Sequence, residues 1–291
     1  MKMSELTCVA LTDRALLRIA GPEAESFLNA LVSNDVARAR PGQAVYAALL
    51  TPQGKFLHDF LIARDADGSL LLDVAAERLA DLKKRLTMYK LRAKVELSEP
   101  DWQGYALWGD AEAPAAPEQG VVFADPRLAA LGWRLWLAPG AAYPLPQVAP
   151  LEAYERHRLR LGVPEGVRDI EIEKGILLEN HFEALNGVDF KKGCYIGQEL
   201  TARTKYRGLV KKQLHRVSAE GGSVPPPGTI LMLEGQEAGV MCSGLGGEGL
   251  ALLRLEAVAK MQSDGKKLEA GGIVLSAERP DYAGAAPAAR D

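Results

Sequence analysis

Residues 191–199 read Lys-Lys-Gly-Cys-Tyr-Ile-Gly-Gln-Glu, placing Cys194 between two glycines, behind Lys191 and Lys192 and ahead of a helix-like run over 198–204. Glycine allows a tight turn or the close approach of a ligand to the backbone. Two cations, joined by a helix N-terminus where one forms, favour a thiolate. That is the setting of a reactive cysteine. The same pattern also fits a half-buried cysteine in a strand-to-helix turn, and local physics does not choose between the two.

Other residues could join such chemistry. A Cys–His nucleophile pair needs His58, His157, His181 or His215 beside the thiol, which sequence spacing does not supply. A second set suits ligand capture. Lys192, Arg158 and Arg203 can hold carboxylates, arginine with bidentate geometry. Asp59, just past a Pro/Gly turn, can accept hydrogen bonds from an amino-heterocycle, and Phe182 and Tyr195 offer stacking faces. Arg156, Arg158 and Arg160 on one helix read equally well as a solvated face. Cys8, Cys194 and Cys242 form no CxxC pair, so no metal ligand set is assigned. Three thiols are one short of the usual four for a cluster held by one chain. A cluster here needs a partner chain, a non-cysteine ligand or transient contact.

The elements that position these residues belong to an ordinary soluble chain of 291 residues, 47% apolar and 25% charged, long enough for roughly two domains. A net charge of −3 argues against a dedicated nucleic-acid binder. No apolar run approaches the ~20 residues of a membrane span. The N-terminus shows neither signal-peptide nor transit-peptide character, so a cytoplasmic protein with reduced thiols is expected.

Runs over 8–11 and 15–19 flank the polar turn Thr12-Asp13-Arg14 and read as a hairpin. Gly21-Pro22 opens a helix with Ala24, Phe27, Leu28 and Leu31 on one face, and Ser33-Asn34 close it as turn residues. Strands follow over 45–50, 56–63 and 69–74. A helix over 77–89 carries the stripe Leu79, Leu82, Leu86 and Tyr89, which reads as core. Strands over 93–97, 105–108 and 133–137 precede a Pro-rich boundary at 139–150 and a helix over 151–161. Beyond Arg207, short β-prone runs over 214–217, 230–233, 239–242, 249–254 and 273–276 alternate with Gly and Pro turns. They predict a small β-barrel or sandwich. Gly244-Leu245-Gly246-Gly247 reads as a hairpin turn, and the tail 281–291 as disordered.

The segment 192–203, KGCYIGQELTAR, resembles the signature of the YgfZ-type folate-binding proteins, which are similar to the T-protein (aminomethyltransferase) of the glycine cleavage system. Further blocks at 27–36, 50–55, 88–95, 158–162 and 243–254 resemble that family in the same order, across nearly the whole chain. The resemblance implies an α+β fold, a three-domain ring with two interleaved α+β domains and a C-terminal β-barrel. Its first domain would take 1–45 and 145–206, its second 46–144 and the barrel 207–280. It further implies a monomeric, tetrahydrofolate-binding factor that assembles or repairs iron–sulfur clusters in client or carrier proteins without stably bound metal. Cys194 would be the reactive thiol and Lys192 its neighbouring cation. Asn34, Asp59, Arg158, Tyr195, Gln198, Glu199 and Arg203 would serve folate or a partner. The T-protein carries adjacent aspartates where this chain has His58-Asp59, and it lacks the motif cysteine. Both departures favour cluster maintenance over the alternative, folate-dependent aminomethyl transfer, and leave enzymatic turnover open.

Overall fold

The computed structural model describes residues 6–284. The chain divides into two compact units. One comprises Met1–Pro52, Leu57–Tyr154 and Leu185–Gln198; the other comprises Gln53–Phe56, Glu155–Ala184 and Glu199–Asp291.

The first unit is built on two five-stranded sheets. One runs in the order Val148–Ala149, Thr7–Ala10, Gln103–Trp108, Trp133–Leu137, Gly120–Ala124. The other runs Val45–Leu50, Phe56–Arg64, Leu70–Ala75, Arg14–Ala20, Glu96–Ser98. Val45–Leu50 and Leu70–Ala75 are buried at every position, because both faces of this sheet are covered. One face receives the helices Ala24–Asn29 and Leu79–Lys90, whose Phe27, Leu28, Leu82 and Leu86 join Leu17, Ile19, Val45, Ala47, Leu49, Phe60 and Ile62 in one core. Leu82 and Leu86 are fully buried, each burial contributing roughly 1.5–3 kcal/mol. Gly21 enters the first helix at φ +112°, and a Cβ there would lie 2.3 Å from the Lys94 carbonyl oxygen, so only glycine fits.

The expected hairpin of 8–11 with 15–19 does not form. Cys8 pairs with Leu107 and Val148, whereas Leu17 pairs with Leu72 and Ile19 with both Leu70 and Leu97. The polar residues between them carry the chain from one sheet to the other. Leu11 N–H donates to Gly104 O and Ala76 N–H to Asp13 O, both at 2.9 Å. Each strand pairs with long-range partners in its own sheet instead of with the other.

The second unit contains a closed six-stranded barrel. Its strands run in the order Lys212–Ala219, Glu248–Arg254, Gln236–Leu245, Ile230–Leu233, Leu268–Ala270, Ile273–Glu278. Val217, Leu231, Leu233, Met241, Leu253, Leu268 and Leu275 fill it. The expected hairpin at Gly244–Gly247 is present, with Leu245 opposite Glu248 and Gly246 at φ +60°. The sequence reading missed the helix Leu255–Asp264, capped by Gly265 in the left-handed conformation. Of the expected disordered tail, Asp281–Ala283 form a 3₁₀ turn, and Tyr282 OH donates to Gly162 O at 2.7 Å; residues 285–291 lie outside those described.

Candidate functional site

The cysteine loop belongs to the first unit and is fastened to the corner that follows the helix Ala24–Asn29. Ser33 and Asn34 do more there than turn the chain, being almost fully buried. Ser33 Oγ donates to Gly187 O at 2.6 Å and accepts from Ala48 N–H at 2.8 Å, and Ser33 O accepts from Asp189 N–H at 3.0 Å. Asn34 Nδ2 donates to Asn186 O at 2.6 Å and Tyr46 O at 2.8 Å, while its Oδ1 accepts from Asp35 N–H. Asp189 Oδ1 in turn accepts from the backbone N–H groups of Lys191 and Lys192, at 2.7 and 3.2 Å. Sequence reasoning gave Ser33 only a turn role and had none for Asn186 or Asp189. The Asp189-to-Lys191 spacing, which suits an Asx turn, was the one local signal.

Lys192 is the main fastening. Its Nζ donates to Asn29 O, Val32 O and Asn34 O, each at 2.7 Å. An ammonium has three N–H donors, so all are engaged by carbonyls at the end of a short helix. Burial pushes the Lys192 pKa down to about 8, against the pull of Asp35 and Asp189 toward the charged form. The ammonium also stands 5.3 Å from the centre of the Tyr195 ring, within cation–π range.

On the far side of the cysteine, Tyr195 N–H donates to Gln198 Oε1 at 2.9 Å and Gln198 N–H to Tyr195 O at 3.4 Å. The two bonds close the turn over 195–198 that leads into the helix Gln198–Arg207. Gly197 sits at φ +79°, and Ile196 packs on the helix-covered core. Between these two fastenings, Gly193 and Cys194 are exposed, and a Cβ on Gly193 would meet nothing within 4 Å. Cys194 is a free, exposed thiol, while Cys8 and Cys242 are free and buried. Burial pushes their thiols up to about 11 and about 12.

No histidine hydrogen-bonds Cys194 among the described residues. His58 Nε2 lies 3.0 Å from Asp81 Oδ2, His181 Nε2 is bonded to Leu214 O and His215 Nδ1 to Gln213 O. Burial pushes His58 and His181 down to about 4. Adjacent residues of a strand face opposite ways, which separates His58 from Asp59. Asp59 is half-buried and its Oδ2 accepts from Tyr46 OH at 2.9 Å. Tyr46 also lines a cavity of about 280 Å³ with Asn34, Arg38, Asp125, Pro126 and Asn186.

The remaining candidates are scattered. Phe182 is fully buried, edge-on to Phe56 at 6.4 Å. Glu199 and Arg203 are exposed on the helix Gln198–Arg207, whose Thr201 and Thr204 are buried. Arg158, in the second unit, is wholly buried. Its guanidinium donates to Asp169 Oδ2 and Glu155 Oε2 at 2.7 Å, to Ser243 Oγ at 3.0 Å and to Val163 O at 3.2 Å. These partners hold its pKa above the ordinary arginine value despite desolvation. Arg156 and Arg160 of the same helix are exposed, so only its two outer arginines form the solvated face. Among the described residues no group of three or more His, Cys, Asp or Glu side chains is placed to hold a metal ion, and no helix is long and apolar enough to cross a membrane.

Residues 8–115 match the GCVT N-terminal domain, and residues 211–285 match the CAF17 C-terminal beta-barrel domain. The crystal structure of the glycine cleavage system aminomethyltransferase T from Bartonella henselae superposes with a TM-score of 0.76, covering 96% of this chain and 86% of that one at 16% identity. The fold is therefore of the aminomethyltransferase type, with a closed C-terminal barrel. The mitochondrial iron–sulfur cluster assembly factor IBA57 of Mus musculus is 36% identical over 95% of this chain and 85% of its own length. The Homo sapiens factor is 33% identical over 94% and 85%, and the Coccidioides immitis homologue 32% over 89% and 73%. This chain belongs to the IBA57 family of iron–sulfur cluster assembly factors. The expectation of a cytoplasmic protein is corrected by these relatives, which are mitochondrial by name.

Proposed function

We propose that the chain serves iron–sulfur cluster assembly or repair through Cys194, which meets a cluster or a client protein, and that it binds a reduced folate. One observation carries the thiol reading: of three cysteines, two are buried with raised pKa values, and the third stands exposed on a loop fastened on both sides. A loop held this way presents its sulfur without first paying the entropy of ordering. Lys192 then acts as the loop's anchor. The test is complementation of a strain lacking its own copy: Cys194→Ser is expected to leave iron–sulfur enzyme activities at the null level. Full restoration by the serine variant removes the thiol's role.

The folate reading is narrower than the sequence suggested. Asn34 and Arg158 have their polar atoms engaged within the fold, and Gln198 is tied to Tyr195. Within the first unit, Asp59 retains partial exposure as an acceptor for an amino-heterocycle and Tyr195 a partly exposed ring. Asp59→Asn is expected to weaken tetrahydrofolate binding at least fivefold in a titration; an unchanged affinity removes Asp59 from the site. Aminomethyl transfer remains a second reading on the strength of that carboxylate, and it requires turnover of methylene-tetrahydrofolate that Asp59→Asn abolishes.

A further inference from the structure

The helix Leu79–Lys90 ends in a surface that folding does not need. Between Asp81 and Glu96 the chain carries Lys83, Lys84, Arg85, Lys90, Arg92 and Lys94 and no acidic residue, in a protein of net charge −3. Lys83 pairs with Glu99 and Arg85 with Asp81. Lys84, Lys90, Arg92 and Lys94 make no ion pair among the described residues. Among these cations stand three large apolar side chains, Met88, Tyr89 and Leu91, at 59%, 38% and 88% exposure. Met88 and Leu91 lie off the stripe that faces the core, and Tyr89, expected on that stripe with the fully buried Leu82 and Leu86, is exposed instead in the last turn of the helix.

Leu91 is the most telling of the three. It caps the helix at φ +44°, ψ −105°, the conformation of the first central residue of a type II′ turn, where glycine is the norm. A leucine held there is strained, and its exposure returns no hydrophobic stabilisation. Two unfavourable features at one residue, inside a cluster of unpaired cations, mark a surface kept for something outside the chain.

We propose that the segment 84–94 docks an acidic protein, with Leu91 entering an apolar recess and Lys84, Lys90, Arg92 and Lys94 meeting carboxylates around it. The geometry favours a protein over a lipid surface. A membrane-seated helix needs a long apolar face, whereas the apolar face of this helix is inside the core and the exposed apolar residues are confined to its last turn and cap. An apolar anchor with a charged rim is the anatomy of a protein interface. That the partner is a cluster carrier or client rests on the role proposed for Cys194; the docking surface does not.

The experiment uses the full chain in the complementation strain. Leu91→Asp and the triple variant Lys84→Glu, Lys90→Glu, Arg92→Glu are expected to lose at least fivefold in iron–sulfur enzyme activity with an unchanged Tm. Leu91→Gly is expected to lose activity while raising Tm, a pairing that a merely structural residue does not give. A photo-reactive amino acid at position 91 should cross-link an acidic protein in cells. Binding of that purified protein should be lost in the triple variant and restored when its own carboxylates are exchanged for lysines. Cys194→Ser should cross-link as well as wild type, so a failure of the thiol reading and a failure of the docking reading are told apart. Wild-type activity in both Leu91→Asp and the triple variant overturns the proposal. So do adducts only with lipid or a second copy of this chain, and binding to anionic phospholipid vesicles that the triple variant abolishes.

Discussion

Lys192 and Arg158 are both cations within the sequence blocks that carry the family resemblance, and both are placed where their donors are fully engaged, yet their surroundings differ. Around Lys192 the acceptors are three neutral carbonyls, and the chain just beyond it is exposed. Around Arg158 the acceptors are the carboxylates of Asp169 and Glu155 with Ser243, and Arg168 adds a bond to Glu155 at 2.8 Å. The first arrangement fastens a loop and leaves its sulfur free. The second closes on itself and leaves nothing to offer a ligand. A cation beside a suggestive motif is a binding group only if some of its donors remain unclaimed.

The sharpest way to break this contrast is to remove Arg158. Arg158→Ala takes the cation from the buried Asp169 and leaves Arg168 as the remaining cation beside Glu155 and Glu165, and the expected loss is about 3–5 kcal/mol in urea unfolding. A loss below about 1 kcal/mol would show that the cluster tolerates opening.

Acid tests both units together. His58 in one and His181 in the other are held neutral by burial, at about 4 against 6.5 unfolded. The unfolded chain therefore binds more protons between pH 7 and 4, and stability falls as pH falls through that window. Each of these two contributes up to about 3 kcal/mol at 1.36 kcal/mol per unit, and His58→Gln should make the slope shallower while His181 and His215, also pushed down by burial, supply the rest. Lys192→Met comes next: it leaves three carbonyls without their donor, for an expected loss of about 1–3 kcal/mol and faster proteolysis within 190–197. Unchanged stability and cleavage would mean that Asp189 and Ile196 hold the loop without it. The smallest effect on stability belongs to Cys194→Ser, within about 0.5 kcal/mol, even though the largest loss of iron–sulfur maturation is expected from it.

Much of the scaffold was legible because it is local. The strand Trp133–Leu137, the helix Leu151–Leu161 and the strand Ile230–Leu233 fall where periodicity and turn residues put them. The failed hairpin of 8–11 with 15–19 shows the limit: two β-prone runs around a polar turn say that strands exist, not which edges they find. The site was legible in its cysteine and not in its support. Lys192 reaches acceptors 158 to 163 positions away, and Arg158 meets Ser243 across 85. No spacing rule encodes such distances, so both read as ligand-binding cations. Asp59 and His58 were read side by side, and strand alternation parted them.

The unequal burial of the three sulfurs has a practical corollary. A maleimide dye at neutral pH has one accessible target per molecule, so the native protein can be labelled at position 194 without first deleting any cysteine. Loop motion and encounters with other macromolecules can then be followed by the fluorescence of a single, chemically defined reporter.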